Sequence, residues 1–162
     1  LNCAATITHF GIQAWEKTRK DLEVEVRENI GREFFYDEAP GFVGLTNSDH
    51  ASFAYIRADK DDLDPTILHV GTIDVDKSYR GKQISKLLLA KILLSYPETR
   101  EIRTYLEDDN NLVYRNALVD DLSTLDAVRE TPAYKIRNAL GFGQIKAFRE
   151  VNHQKLFLSV TP

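Results

Sequence analysis

The chain has one cysteine, Cys3, no methionine, and no apolar run able to cross a bilayer. A lone thiol excludes an internal disulfide and a cysteine-rich metal site, so a reducing, cytoplasmic setting and no bound metal are expected. The longest apolar stretch, Leu87 to Leu94, is broken by Lys91 and is far too short for a membrane span. Positive charge is also in short supply: the net charge is −4 and the pI about 5.6. Nucleic acids and anionic membranes need a distributed basic face, so neither is an expected partner. Internal repeats and low-complexity segments are missing too. The composition, 43% hydrophobic and 28% charged, suits one globular domain spanning residues 1–162. No signal peptide is read at Leu1, and without a methionine the chain reads as processed at its start or as a piece of something longer.

What is present alternates in period. Thr6 to Phe10 reads as a short first strand or as the entry to a helix. From Gly11 to Gly31, Ile12, Trp15, Leu22, Val26 and Ile30 recur at helical intervals, and the glycine is a natural stop. Phe42–Leu45 and Ser52–Arg57 read as strands around the polar turn Thr46 to Asp49. Asp59 to Asp64 with Pro65 is a solvated turn, followed by the β-branched strand Ile67–Val75 and the apolar helix Ile84–Ser95. Glu101–Leu106 is another strand, completing a strand–loop–helix–strand crossover with parallel strands. Helical pattern returns around Leu112–Leu118 and Leu122–Val128. Thr131-Pro132 then looks like an N-cap and first residue of a helix ending at Gly141. Gly143–Arg149 and Gln154–Val160 close the chain as two strands.

The segment His69 to Leu94, HVGTIDVDKSYRGKQISKLLLAKILL, carries the chemistry. A strand feeding a short loop and then a helix collects backbone N–H groups at the positive end of the helix dipole, which suits phosphate oxygens. Between Lys77 and Pro97 stand five basic residues, Lys77, Arg80, Lys82, Lys86 and Lys91, and no acidic one. A basic island in an acidic chain points to a small polyanion such as a diphosphate. The loop carries neither the GK[ST] of a P-loop nor GxGxxG. Gly71, in mid-strand, marks a bulge or a close approach.

The run Val75-Asp76-Lys77-Ser78-Tyr79-Arg80-Gly81-Lys82-Gln83-Ile84-Ser85, with Ala139-Leu140-Gly141-Phe142 downstream, resembles the acetyl-CoA-binding segment of the GNAT N-acetyltransferase superfamily. That signature is arginine or glutamine, two residues, glycine, one residue, then glycine or alanine. The resemblance spans the element order from Gly11 to Val160. It implies an α/β (α+β) fold with a mixed, centrally splayed sheet flanked by helices. It also implies that Arg80, Gly81, Lys82, Gln83, Ile84 and Ser85 hold the CoA pyrophosphate while Ile73 and Val75 pair with pantetheine as an added strand. Three positions depart from the family pattern: Gln83 and Ser85 stand where glycine and glycine or alanine are usual, and Arg137 stands where many members place an acid tyrosine.

The implied reaction is transfer of an acetyl group from acetyl-CoA to a primary amine, by direct attack through a tetrahedral intermediate. A protonated amine needs a base, worth roughly 10²–10⁴-fold in rate. His69, six residues before Val75, sits where some family members carry one, and Asp74 and Glu107 are second choices. Tyr134, one turn before Arg137, is the substitute acid. A backbone N–H between Ile73 and Val75 would hold the oxyanion. The acidic clusters Asp59 to Asp64, Glu107 to Asp109 and Asp120-Asp121 favour a cationic acceptor: a small molecule, a protein lysine or an N-terminus. Residues 110–130 read as an insertion near the acceptor site, with Tyr114 and Arg115 close to it. A homodimer and a longer acyl donor stay open, as does the alternative of a non-catalytic GNAT-fold module that binds acyl-CoA or a partner protein.

Overall fold

The computed structural model describes residues 3–162, with side chains from residue 11 onward. Its elements divide between two compact units, Leu1–Thr99 and Arg100–Pro162.

The first unit opens with helix α1 (Cys3–Ile30), so Thr6 to Phe10 is helical and not a strand. Among its described side chains Leu22 and Val26, one turn apart, are the buried positions of its apolar stripe. Gly31, at φ +69°, donates its N–H to the Arg27 carbonyl and ends the helix where the sequence suggested. Four antiparallel strands follow in spatial order: β1 (Phe35–Ala39), β2 (Phe42–Thr46), β3 (Ser52–Lys60) and β4 (Ile67–Val75). Strand β1 has no counterpart in the sequence reading. Its side chains, FYDEA, are mostly exposed, so no apolar alternation betrays it. It is held by the Pro40-Gly41 turn and by Tyr36, whose hydroxyl donates to Glu23 on α1 (2.7 Å) and whose ring lies under the Lys91 ammonium (4.4 Å). Gly41 is obligatory there: φ is +68°, and a Cβ would lie 2.5 Å from the Ala58 carbonyl oxygen.

Strand β3 runs three residues further than its sequence pattern suggested, because it pairs with β4 down to Lys60↔Leu68. The ladder steps from Arg57↔Thr72 to Ala58↔Val70, which leaves Gly71 as the extra residue of a β-bulge. Helix α2 (Ile84–Ser95) buries Ile84, Leu87, Leu88, Leu89, Ala90, Ile92 and Leu93, which accounts for its nearly unbroken apolar sequence.

The second unit orders its strands β5 (Glu101–Leu106), β7 (Lys155–Thr161) and β6 (Gln144–Asn152), antiparallel throughout. The 110–130 region forms two helices, α3 (Asp108–Val119) and α4 (Thr124–Glu130), close to the two patterns read from sequence. Helix α5 (Pro132–Ala139) starts as expected, with Pro132 in the first turn and the Thr131 Oγ1 accepting from the Tyr134 N–H. Gly141, at φ +95°, follows it.

At the start of β5 the Glu101 carboxylate, 5% exposed, accepts from Arg103 Nε (2.8 Å), Lys146 Nζ (2.8 Å) and Ser159 Oγ (2.6 Å). Burial by itself would push its pKa up, but these donors outweigh burial and hold it at about 2. A carboxyl whose pKa is depressed on folding adds stability above its unfolded pKa and forfeits it as pH falls through the folded value. Urea unfolding between pH 6 and 2 is therefore expected to show a loss on the order of 3 kcal/mol attributable to this group. The loss should be absent from Glu101→Gln, whose stability is lower at pH 6 but flatter with pH. Equal pH slopes for the two proteins would remove Glu101 from this role.

Candidate functional site

The segment joining β4 to α2 is built to stop moving before the helix begins. Asp76 N–H donates to the Phe53 carbonyl (2.8 Å), and Tyr79, in the 3₁₀ turn Lys77–Tyr79, stacks its ring on Phe53 with centroids 4.4 Å apart. Arg80 Nε donates back to the Val75 carbonyl (3.2 Å), closing the turn on its own strand. Lys82 Nζ reaches the Asn29 carbonyl in the last turn of α1 (3.2 Å), where the negative end of that helix attracts a cation. Two of the basic side chains that the sequence suggested for phosphate thus also brace the loop.

Between these anchors the backbone turns through two left-handed residues, Gly81 at φ +75° and Gln83 at φ +66°, ψ +13°. Glycine takes that conformation freely, whereas glutamine there costs roughly 1 kcal/mol or more. Gln83 is the N-cap of α2, yet no side chain caps the helix. Leu87 N–H is the first to find an acceptor inside it, the Gln83 carbonyl (3.1 Å). The amides of Ile84, Ser85 and Lys86 precede that first bond and form the positive end of a 12-residue helix that buries seven apolar side chains. A Cβ on Gly81 would meet nothing within 4 Å, so the loop is open on that side. Its chemistry is that of an oxyanion cradle made from backbone.

Val75 is buried and Ile73 half-buried, paired with Ala54 and Ile56 of β3. His69 lies on the same strand beyond the Gly71 bulge, about 20 Å from Val75 at the usual strand rise. Its half-exposed ring is hydrogen-bonded through Nε2 to Asp61 Oδ1 (2.8 Å). Asp61 also accepts from the N–H groups of Leu63 (3.0 Å) and Asp64 (3.1 Å). The His69 hydrogen bond, followed by those backbone donors, lowers the Asp61 pKa and keeps it ionised. An anionic acceptor at Nε2 selects the tautomer protonated there and leaves the Nδ1 lone pair for a base. Sequence reading took Asp59–Asp64 as solvent-facing charge and missed Asp61. The pairing that brings the two together, Asp59 with His69, lies in the part of β3 that extends beyond its sequence pattern.

Of the second-choice bases, Asp74 is exposed on β4, and Glu107 is the N-cap residue of α3, ion-paired with Lys155 (3.0 Å). Tyr114 and Arg115 both engage Glu150, at 2.7 and 3.1 Å, and so tie α3 to β6. Burial first, then the Glu150 hydrogen bond, push the Tyr114 phenol up to about 12. Tyr134 is buried in the second unit and donates its O–H to the Gly143 carbonyl (2.8 Å). Arg137, one turn on, is 2% exposed; Nη1 donates to the Ala133 carbonyl (2.8 Å) and Nε has no partner. Among the described residues, no group of three or more His, Cys, Asp or Glu is placed to hold a metal, and no helix is long and apolar enough to cross a membrane.

No protein-family model matches the sequence, and no curated protein does. Solved structures do match. One is a Desulfovibrio desulfuricans protein assigned to the GNAT family of acetyltransferases, with 12% identity over 74% of this chain and 65% of that one, at a TM-score of 0.51. Another is a Bacillus anthracis protein assigned as a streptothricin acetyltransferase, in complex with acetyl coenzyme A, with 17% identity over 77% and 64% and a TM-score of 0.49. A third is nourseothricin acetyltransferase, with 15% identity over 76% and 67% and a TM-score of 0.46. The chain thus spans less than two thirds of the length of the first two. At such identities likeness speaks of architecture alone, and the D. desulfuricans match carries it: this chain has the GNAT acetyltransferase fold.

Proposed function

We propose that the protein is an acetyl-CoA-dependent N-acetyltransferase acting on a primary amine of a small molecule or a protein. The observation that carries this reading is the uncapped start of α2 behind the left-handed residues Gly81 and Gln83. Those amides suit the pyrophosphate of acetyl-CoA, which would supply the activated acyl group as a thioester. In this reading Arg80 and Lys82 stiffen the loop and add positive potential, and Ser85, in the first turn, adds a hydroxyl. Ile73 and Val75 would offer backbone groups to the extended pantetheine arm, and a neighbouring N–H the oxyanion contact. The distance between the loop and His69 favours the same ligand, because the two ends of β4 can be served together only by a long extended molecule.

His69 Nδ1 takes a proton from the acceptor ammonium, with Asp61 holding the ring in place through Nε2. The amine then attacks the thioester carbonyl and CoA leaves as the thiol. Tyr134 keeps its sequence-derived role as the candidate proton donor to that leaving group, and its O–H is given to the Gly143 carbonyl within the second unit. That engagement of Tyr134 also favours the second reading, a GNAT-fold module that binds acyl-CoA without turnover.

Gly81→Asp tests the loop. It places a negative charge where nothing is in contact, at a φ that aspartate tolerates better than most residues. Calorimetric titration should show CoA binding weakened at least about tenfold, a change of about 1.4 kcal/mol, at near-constant melting temperature. Undiminished binding would move the phosphate site elsewhere.

Thiol release from acetyl-CoA with a panel of amines tests the chemistry. His69→Ala should lower kcat on the order of 100-fold with CoA affinity retained, and Asp61→Asn less, since it misorients the ring without removing it. Tyr134→Phe should cost about 1 kcal/mol of stability and lower kcat with KM unchanged. A stability loss alone would confine Tyr134 to holding the turn. Tight CoA binding without thiol release on any amine would select the module.

A further inference from the structure

The second unit buries two charges and treats them oppositely. Glu101 meets three donors, two of them cationic. Arg137, just as deeply buried, has one hydrogen bond, to a backbone carbonyl of its own helix, while its Nε–H meets no acceptor. A guanidinium carries five N–H donors. No carboxylate compensates this one: loss of water is the sole influence on its acidity, lowering the pKa to about 10. Its place in the last turn of α5 provides a favourable dipole, but that is a small return against the cost of an unpaired buried ion. An apolar side chain of similar length would satisfy the fold better.

We propose that Arg137 is the anchor for the carboxylate of a ligand, in a binding site of the second unit that does not depend on the α2 loop. The guanidinium edge matches a planar carboxylate with two parallel hydrogen bonds, and one negative charge neutralises it. A phosphate dianion fits less well. The Ala133 carbonyl that receives Arg137 belongs to the residue whose N–H is held by Asn110 Oδ1, so this end of α5 is tied to the first turn of α3, which carries Asp108 and Asp109. A second negative charge would be unwelcome there. With 2% of the residue exposed and Nε out of contact with solvent, a carboxylate reaches the guanidinium only as neighbouring side chains give way, which a small acid or an amino acid requires least.

The Arg137 Nε–H resonance, assigned by its disappearance in Arg137→Met, gives a direct readout in ¹⁵N NMR. Titration of the wild type with acetate or glycine should shift it, whereas glycinamide, chloride and inorganic phosphate should not. A response to acetate identifies simple acids, and a response to glycine alone identifies an amino-acid carboxylate; both support the site. Without ligand, Arg137→Met should melt about 2–4 °C higher than wild type, as removal of an unpaired buried charge from a domain of this size predicts, and its melting should no longer respond to the carboxylate. Silence toward every carboxylate, or an equal shift with phosphate, would overturn the proposal. So would a lower melting temperature for Arg137→Met, which would make the guanidinium a structural group.

Discussion

A helix must begin somewhere, and its first N–H groups need acceptors from outside it. That constraint, at the start of α2, is the one around which the first unit is arranged. The chain could cap this end with a serine or aspartate, as it does with Ser123 at α4 and Thr131 at α5. It uses Gln83 in a left-handed conformation and no side-chain cap, and then spends other interactions on holding the unfavourable turn still. Phe53 and Tyr79 stack beneath it, Arg80 folds back on Val75, and Lys82 is tied to α1. Seven apolar side chains of α2 are buried behind it, so the helix cannot fray to relieve the strain. The resulting donors are preorganised, and an anion that meets them needs little rearrangement of the protein.

The strand leading into this turn carries the second half of the arrangement. Gly71 inserts one residue into β4 and changes which side chains share a face on either side of it. Beyond the bulge His69 meets Asp61, a hydrogen-bonded pair held by a tight turn in which Asp61 collects two backbone N–H groups. Rigid backbone therefore supports both the oxyanion cradle and the imidazole, each at its own end of one strand.

Polar burial in the second unit shows how strongly partners decide the worth of a charge. Glu101 is stabilised as an anion because three donors replace lost water. Arg137 has no such replacement, and the same desolvation acts on it unopposed. The position where the family resemblance leads one to expect a tyrosine thus holds a cation that the fold itself does not neutralise.

The helices, four of the seven strands among the described residues to within a residue or two, and the loop were legible in the sequence because period, caps and glycine stops are local properties, whereas β6 runs three residues beyond its sequence pattern, to Asn152. Strand β1 was not, since an exposed strand bearing Asp37 and Glu38 has no alternation to read, and β3 outran its pattern because its last residues are held by pairing. Thr6 to Phe10 joined α1 because a helix, once nucleated, extends through residues of modest propensity. At the site, the sequence by itself determined the basic loop, the bulge glycine and the histidine, all of which depend on residue type at fixed spacing. Only tertiary structure decided that Asp61 orients His69, that the Tyr134 hydroxyl is held by Gly143, and that Arg137 is buried without a counter-ion. Partners of that kind depend on turns and helix ends brought together in space, and a hydrogen bond is a matter of a few tenths of an ångström that no spacing along a chain encodes.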